Sequence, residues 1–390
     1  MAISITTAYP GEFLDKVLTK AALSNELVQK NLIHVEPNVL KKLYIGELTV
    51  GTLLQHRIEQ PASSDAQGTF TYVEKYLEPQ DIMAYTEFNP RNFENIWRRW
   101  QPNGPMAMET WSAAAQAEFL EVFAKKVSEE LGYQYINGVR VAGNNTMLIN
   151  GIVPRILADE DVKVANITNN DNTYAKKFKK MLSKLPKALR NKSNLKFITS
   201  IADTDNYDEE LKLNTYKNGD LTIQQTLAYN GIPVVGLAQW PEGLIILTLA
   251  DSSLESNLFA GVAWNEDETF IQEDKVSAAG EKHFLKMLMK ADTNIAFGDY
   301  VVIYDGREAA ALAGGSTITP VAYKSVVNYT TTLAANASWS FANTNAILGS
   351  CVTIKNNQSG NFKITIANTD IAKDEEATFY FDGTNWKVKS

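Results

Sequence analysis

Cysteine is nearly absent from this 390-residue chain. Cys351 stands alone, which excludes an intrachain disulfide and any metal centre built from several cysteines, and fits folding in a reducing cytoplasm. Histidine is almost as scarce. His34, His56 and His283 lie far apart, in segments that read as an arm, a hairpin and a helix. Ligand sets recruit several His, Asp, Glu or Cys together, so structural or surface roles outweigh metal or base roles, and no metal or cofactor is assigned. Long apolar runs are missing as well. Those present are of strand length and too short to cross a bilayer, so no membrane partner is expected. The first 20 residues carry Glu12 and Asp15 without the apolar core of a secretion signal, so no export is implied. Positive charge is in the minority: 37 Lys and Arg against 45 Asp and Glu leave a net charge of -8. Tight nucleic-acid binding needs clustered cations, so any contact with DNA should be loose. Phosphate-loop, dinucleotide, zinc-protease and nucleophile-elbow motifs are all lacking, and no enzymatic activity is expected.

What is present is an ordinary globular composition, 45% hydrophobic and 21% charged, with length for two or three folding units. From Gly11 to Lys30, apolar residues fall near helical spacing. Strand-like segments from Leu43 to Glu59 and from Thr69 to Phe88 flank a polar tip at 61–68 and read as a long hairpin. An isolated two-stranded hairpin is marginal in water, so this one must pack on its own domain or on another copy. Asn103-Gly-Pro105 opens the longest helical pattern, Met106 to Leu131, with Gly132 at its exit. A second helix runs from Tyr174 to Arg190, kinked or ended by Pro186. From Ile201 to Val262 the chain reads as β-rich, and Ser277 to Lys290 reads as a further helix. The small-residue stretch 307–320 reads as a linker. Beyond it come short strands, with Asp382-Gly383 as a hairpin turn.

The run Tyr229 to Val262 carries the family signal. Asn230-Gly231 and Pro241-Glu242-Gly243 are turns, and Ile232 to Leu237 and Leu244 to Leu249 have the pattern of strands buried on both faces. The order "GIPVVGL", "PEGLIILT", "SNLFAGV", then "YVVIY", resembles the closing part of tailed-bacteriophage major capsid proteins of the Hong Kong 97 type. That resemblance implies an α+β fold with an N-terminal arm (1–42), an extended β-hairpin loop (43–95), and a spine helix with peripheral and axial domains (96–306). A small C-terminal all-β sandwich-like module (321–390) follows the linker. It also implies self-assembly into hexamers and pentamers of an icosahedral head around double-stranded DNA. Portal, scaffolding and decoration proteins are the implied partners, with assembly in the host cytoplasm and a place in the virion. No long charged scaffolding helix precedes the arm, so a separate scaffold or earlier removal is implied. A nanocompartment shell of encapsulin type, or a carbohydrate-active enzyme with a C-terminal glycan-binding module, are the alternatives.

The subunit-interface candidates are Arg57, Glu59, Tyr72 and Lys75 on the hairpin, with Lys176 and Lys180 on the basic helix. That helix carries no acid between Thr173 and Lys196, and three readings stay open: a solvated face, pairing with an acidic segment of the next subunit, or contact with DNA. Some capsid proteins of this fold join subunits by a Lys to Asn isopeptide bond. Lys75 could be placed in that role, but no motif identifies its partners. Carboxylate clusters at 159–161, 203–210 and 266–268 read as solvated loops. In the last module Trp339, Tyr380 and Trp386 could stack on a sugar or fill a small core, and strand aromatics favour the core.

Overall fold

The computed structural model describes residues 7–8, 25–89, 92, 113–141, 143–165, 173–213, 227–263, 271–277, 282–321 and 323–389. The acidic cluster 266–268, and most of the helical pattern of Gly11 to Lys30, lie outside them; a single turn, Glu26–Gln29, belongs to the described part.

The apolar runs of the signal region are strands. Ile232–Leu237, Leu244–Leu249 and Val302–Asp305 form a six-stranded sheet with Leu195–Ser200 and two short edge strands. Across the sheet the order is Lys163–Val164, Val302–Asp305, Leu244–Leu249, Leu195–Ser200, Ile232–Leu237 and Ala228–Tyr229. Asn230 and Gly231 take φ of 50° and 79°, the left-handed pair that a two-residue hairpin turn needs. Leu244–Leu249 is buried at every position because layers cover both faces. Phe197, Leu247 and Val302 join a core with Phe178 and Met181 of the helix Tyr174–Lys184 and Tyr207 of the helix Ile201–Leu213. Ile198, Ile246 and Ile303 join the main core, with Leu120, Leu131 and Tyr135 of the long helix Ala113–Asn137.

Several expectations need correction. Residues 283–290 are not helical: His283–Ile295 is a 13-residue strand, paired with Gln80–Phe88 on one side and with Leu258–Ala263 along its second half. His283, Leu285, Met287 and Met289 are buried in alternation, and tertiary pairing decides between two periods the run "FLKMLM" can satisfy. The region after Ile201 opens with a helix rather than strands. Ser200 starts it with a reciprocal cap, its Oγ accepting from the Asp203 amide at 3.0 Å and donating to the Asp203 carboxylate at 2.7 Å. The 203–210 carboxylates are therefore helical, and Asp203 is buried. The long helix continues past Gly132 to Asn137 and buries Tyr135 and Ile136 in its added turn. Its predicted start at 106–112, Trp111 included, lies outside the described residues. Pro186 ends the basic helix, which stops at Lys184.

The C-terminal residues build a five-stranded sheet, Ala310–Leu312, Lys324–Tyr329, Cys351–Asn356, Glu376–Phe381 and Trp386–Val388, with smaller ladders packed against it. The stretch read as a linker is part of it: Ala310–Leu312 and Thr317–Ile318 both pair with module strands. Val327, Ile354, Ile364, Phe379 and Trp386 fill a separate core.

A candidate assembly surface

Leu43–Val50 and Phe70–Leu77 form a two-stranded ladder that joins no other sheet. The hairpin is shorter than its sequence suggests. Beyond Glu78 and Pro79 the chain turns, and Gln80–Phe88 leaves to pair with His283–Ile295. The base is anchored. Leu77 is fully buried against Phe259 and Ala296, with Leu43 and Ile45 beside it. Asn294 Nδ2 donates to the Tyr76 carbonyl at 2.8 Å, and the Glu78 amide donates to Asp292 at 2.8 Å. Arg155 in turn holds Asp292 with both carboxylate oxygens in reach, at 3.0 and 3.1 Å. Lys75 pairs with Asp159 of its own chain.

Past that base, register decides which side chains share a face. Tyr44 pairs with Tyr76, Gly46 with Glu74, Leu48 with Tyr72 and Val50 with Phe70. Directly opposed residues of an antiparallel ladder point to the same side, so these positions line one face. Six of them are large and apolar, and all six are exposed, from 39% for Val50 to 65% for Phe70. Gly46 makes the stripe continuous, because the Tyr72 ring lies where a Cβ at 46 would stand. The tip, 51–69, is exposed throughout except at Asp65, with Leu54 92% accessible. Half of the exposed large apolar side chains among the described residues fall between Leu40 and Tyr76. Contiguous apolar surface of this kind marks a contact site, not ordinary scatter.

The sequence candidates distribute as follows. Arg57 and Glu59 sit on the exposed tip and Tyr72 on the stripe, while Lys75 lies at the base in its intrachain ion pair. Lys176 is exposed and Lys180 half-buried on the basic helix, remote in sequence from the hairpin. The structure thus brings Arg57, Glu59, Tyr72 and Lys75 onto one hairpin and leaves the lysine pair on another element. The residues sequence reasoning missed are the apolar ones, Tyr44, Leu48, Val50, Leu54 and Phe70, and the anchor Asp159. Apolar residues fall on both faces of 43–50 and 70–77, so the arms do not alternate cleanly and the sequence carried no clear signal of which face is exposed.

Trp339, Tyr380 and Trp386 are no sugar platform. All are buried, Trp386 stacking on Phe341 with ring centroids 4.6 Å apart. Tyr380 and Cys351 turn away from the module's core into the main one. A cluster of charges surrounds them. Asp305 accepts from Arg307 at 2.8 and 2.9 Å and from Lys324 at 3.2 Å. Burial works to raise the Asp305 carboxyl, and the Arg307 bonds with the Lys324 charge outweigh it and hold the group below the usual carboxylate range. Lys389 lies over the Tyr380 ring at 4.4 Å and donates to the Ile156 carbonyl at 2.9 Å. Burial pushes its amine down to about 7, against the pull of Asp159, Cys351 and Asp305. Among the described residues, no group of three or more His, Cys, Asp or Glu is placed to hold a metal ion, and no helix is long and apolar enough to cross a membrane.

No family model matches the sequence, and no curated protein matches it. Solved structures do. The capsid of a native GTA particle is 11% identical, covering 79% of this chain and 94% of that one, with a TM-score of 0.49. The capsid of cyanophage A-1(L) is 12% identical over 79% of this chain and 97% of its own, with a TM-score of 0.47. The holo-SrpI encapsulin complex from Synechococcus elongatus is 10% identical over 71% and 86%, with a TM-score of 0.46. These are similarities to phage, GTA and encapsulin structures at low identity; the described residues of this chain are themselves mixed α and β and rich in sheet.

Proposed function

We propose that this chain is a structural, non-enzymatic subunit that assembles with copies of itself into a closed shell, the major capsid protein of a tailed-phage head around double-stranded DNA. The carrying observation is the apolar stripe of the hairpin. A lone two-stranded ladder is marginal in water, and this one presents six large apolar side chains on a face that none of the described residues covers. Covering a Leu, Val or aromatic of this kind is worth about 1.5–3 kcal/mol each at full burial. A second copy, laid against the stripe and tip, supplies that cover. In this reading 1–42 is the arm and 43–95 carries the extended loop. Residues 96–306 hold the spine helix with the peripheral and axial domains, and the C-terminal module decorates the outer surface. Hexamers and pentamers, portal and scaffolding partners, and loose contact with DNA belong to the same proposal.

Electron microscopy of particles from producing cells, with nuclease treatment, tests it. Closed shells holding nuclease-protected DNA are expected. Shells filled with cargo protein would assign a nanocompartment instead, and a protein that never forms particles would remove the shell reading.

A further inference from the structure

The helices Tyr174–Lys184 and Ile201–Leu213 lie on one face of the central sheet but toward opposite flanks. The first packs on Val302–Asp305 and the edge strand Lys163–Val164, the second on Leu195–Ser200 and Ile232–Leu237. Between them their inward charges are satisfied. Glu210 accepts from the Tyr174 amide at 2.6 Å, Asp203 accepts from the Tyr174 hydroxyl at 2.9 Å, and Lys177 rests on the Tyr174 and Tyr304 rings. What faces outward is unbalanced. Lys176, Lys179 and Lys184, with Lys187 and Arg190 just beyond, are exposed and carry no ion pair among the described residues. On the acidic helix Asp205 and Glu209 are exposed and make no hydrogen bond or ion pair among the described residues, though both lie in the field of Lys212, which pairs with Asp208.

We propose that these two flanks are the halves of one contact between copies of this chain, the basic flank of one against the acidic flank of the next, repeated head to tail around a ring. The proposal rests on the shell reading and names a contact within it. Opposite signs at opposite flanks of one sheet face suit a heterologous interface, which closes into rings when the rotation allows. A nucleic acid would use the basic flank alone and leave the acidic one without a role. Because exposed pairs are individually weak, the contact sets register and partner orientation more than total affinity.

The test is a charge swap in the full-length chain, read by sedimentation velocity and electron microscopy at low ionic strength. One variant carries Lys176→Glu, Lys179→Glu and Lys187→Glu, a second carries Asp205→Lys and Glu209→Lys, and a third carries all five. Circular dichroism checks that each folds. Each single-flank variant should raise the concentration needed for assembly at least about tenfold, since like charges then meet at every contact. The five-substitution variant should return it to within about twofold of the original. A combined variant no better than the worse single-flank one overturns the proposal. So does a basic-flank variant that assembles normally and merely loses nucleic acid. If the unmodified chain assembles while the swap fails, only this contact falls; if the unmodified chain never assembles, the shell reading falls with it.

Discussion

The hairpin and the C-terminal module are both appendages of the same body, and they treat their apolar side chains in opposite ways. The module turns Val327, Ile354, Ile364 and Phe379 inward to fill its own core and is sealed to the body through Asp305, Arg307, Lys324 and Lys389. The hairpin turns Tyr44, Leu48, Phe70 and Tyr72 outward and, among the described residues, is held at its base. One is complete within its chain. The other leaves an exposed apolar stripe that, in the proposed reading, a neighbouring copy covers, so its surface bears on function while the module's interior bears on stability.

The largest expected effect separates the two at the module's seal. Asp305→Ala leaves Arg307 and Lys324 buried without their counter-ion, and should cost about 3–5 kcal/mol in thermal or urea unfolding. A cost under 1 kcal/mol would mean the cluster is not a seal. The next effect is on pH. Burial pushes the folded Lys389 amine down to about 7 from its ordinary 10.5, so the unfolded chain binds the extra proton between those values and stability rises with pH there. From pH 7 to 9 the gain should be about 2 kcal/mol, while below 7 both states are protonated and the term is flat. Near pH 9 the unfolded Cys351 thiol begins to ionise while burial holds the folded one up to about 12, which opposes any further gain. Lys389→Met should erase the rise in a pH series of urea melts, and a rise that persists contradicts the assignment. Smaller still, Leu54→Ser with Phe70→Ser should change the unfolding free energy of the isolated subunit by about 0.5 kcal/mol or less, yet prevent assembly by light scattering. A variant that assembles normally would place the contact elsewhere. Least of all, Lys126→Ala breaks exposed pairs with Glu129 and Glu130 on the long helix and should shift the melting midpoint barely, about 0.5 kcal/mol at most.

Where one physical signal dominated, the sequence was readable. Asn230, Gly231 and Gly383 take φ > 0 as their turns need, and both apolar runs are strands, but only Leu244–Leu249 is buried on both faces; Ile232–Leu237, next to the edge, is mostly half-buried. The hairpin's existence was legible from its polar tip. Its true length was not, because Gln80–Phe88 is captured by His283–Ile295 across 200 residues of chain. The same long-range pairing turned a helical-looking run into a strand. The helix after Ser200 carried a readable capping signal, Ser200 with Asp203, that was outweighed by the surrounding β-rich pattern. Of the candidate site, individual residues such as Tyr72 could be named, but the stripe is a property of register. Opposing Tyr44 to Tyr76 and Val50 to Phe70 requires knowing how two strands align. The charged seal escaped notice because Asp305, Arg307 and Lys324 flank a small-residue stretch that reads as a linker.

Replacing the exposed tip, residues 51–69, with a two-residue Asn-Gly turn and measuring the mass distribution by sedimentation velocity reaches the core of the matter. The intact chain should sediment as particles of many copies, and the shortened chain as a folded monomer with an unchanged melting temperature. A shortened chain that assembles as well as the intact one, or an intact chain that stays monomeric, would contradict the role given to the hairpin.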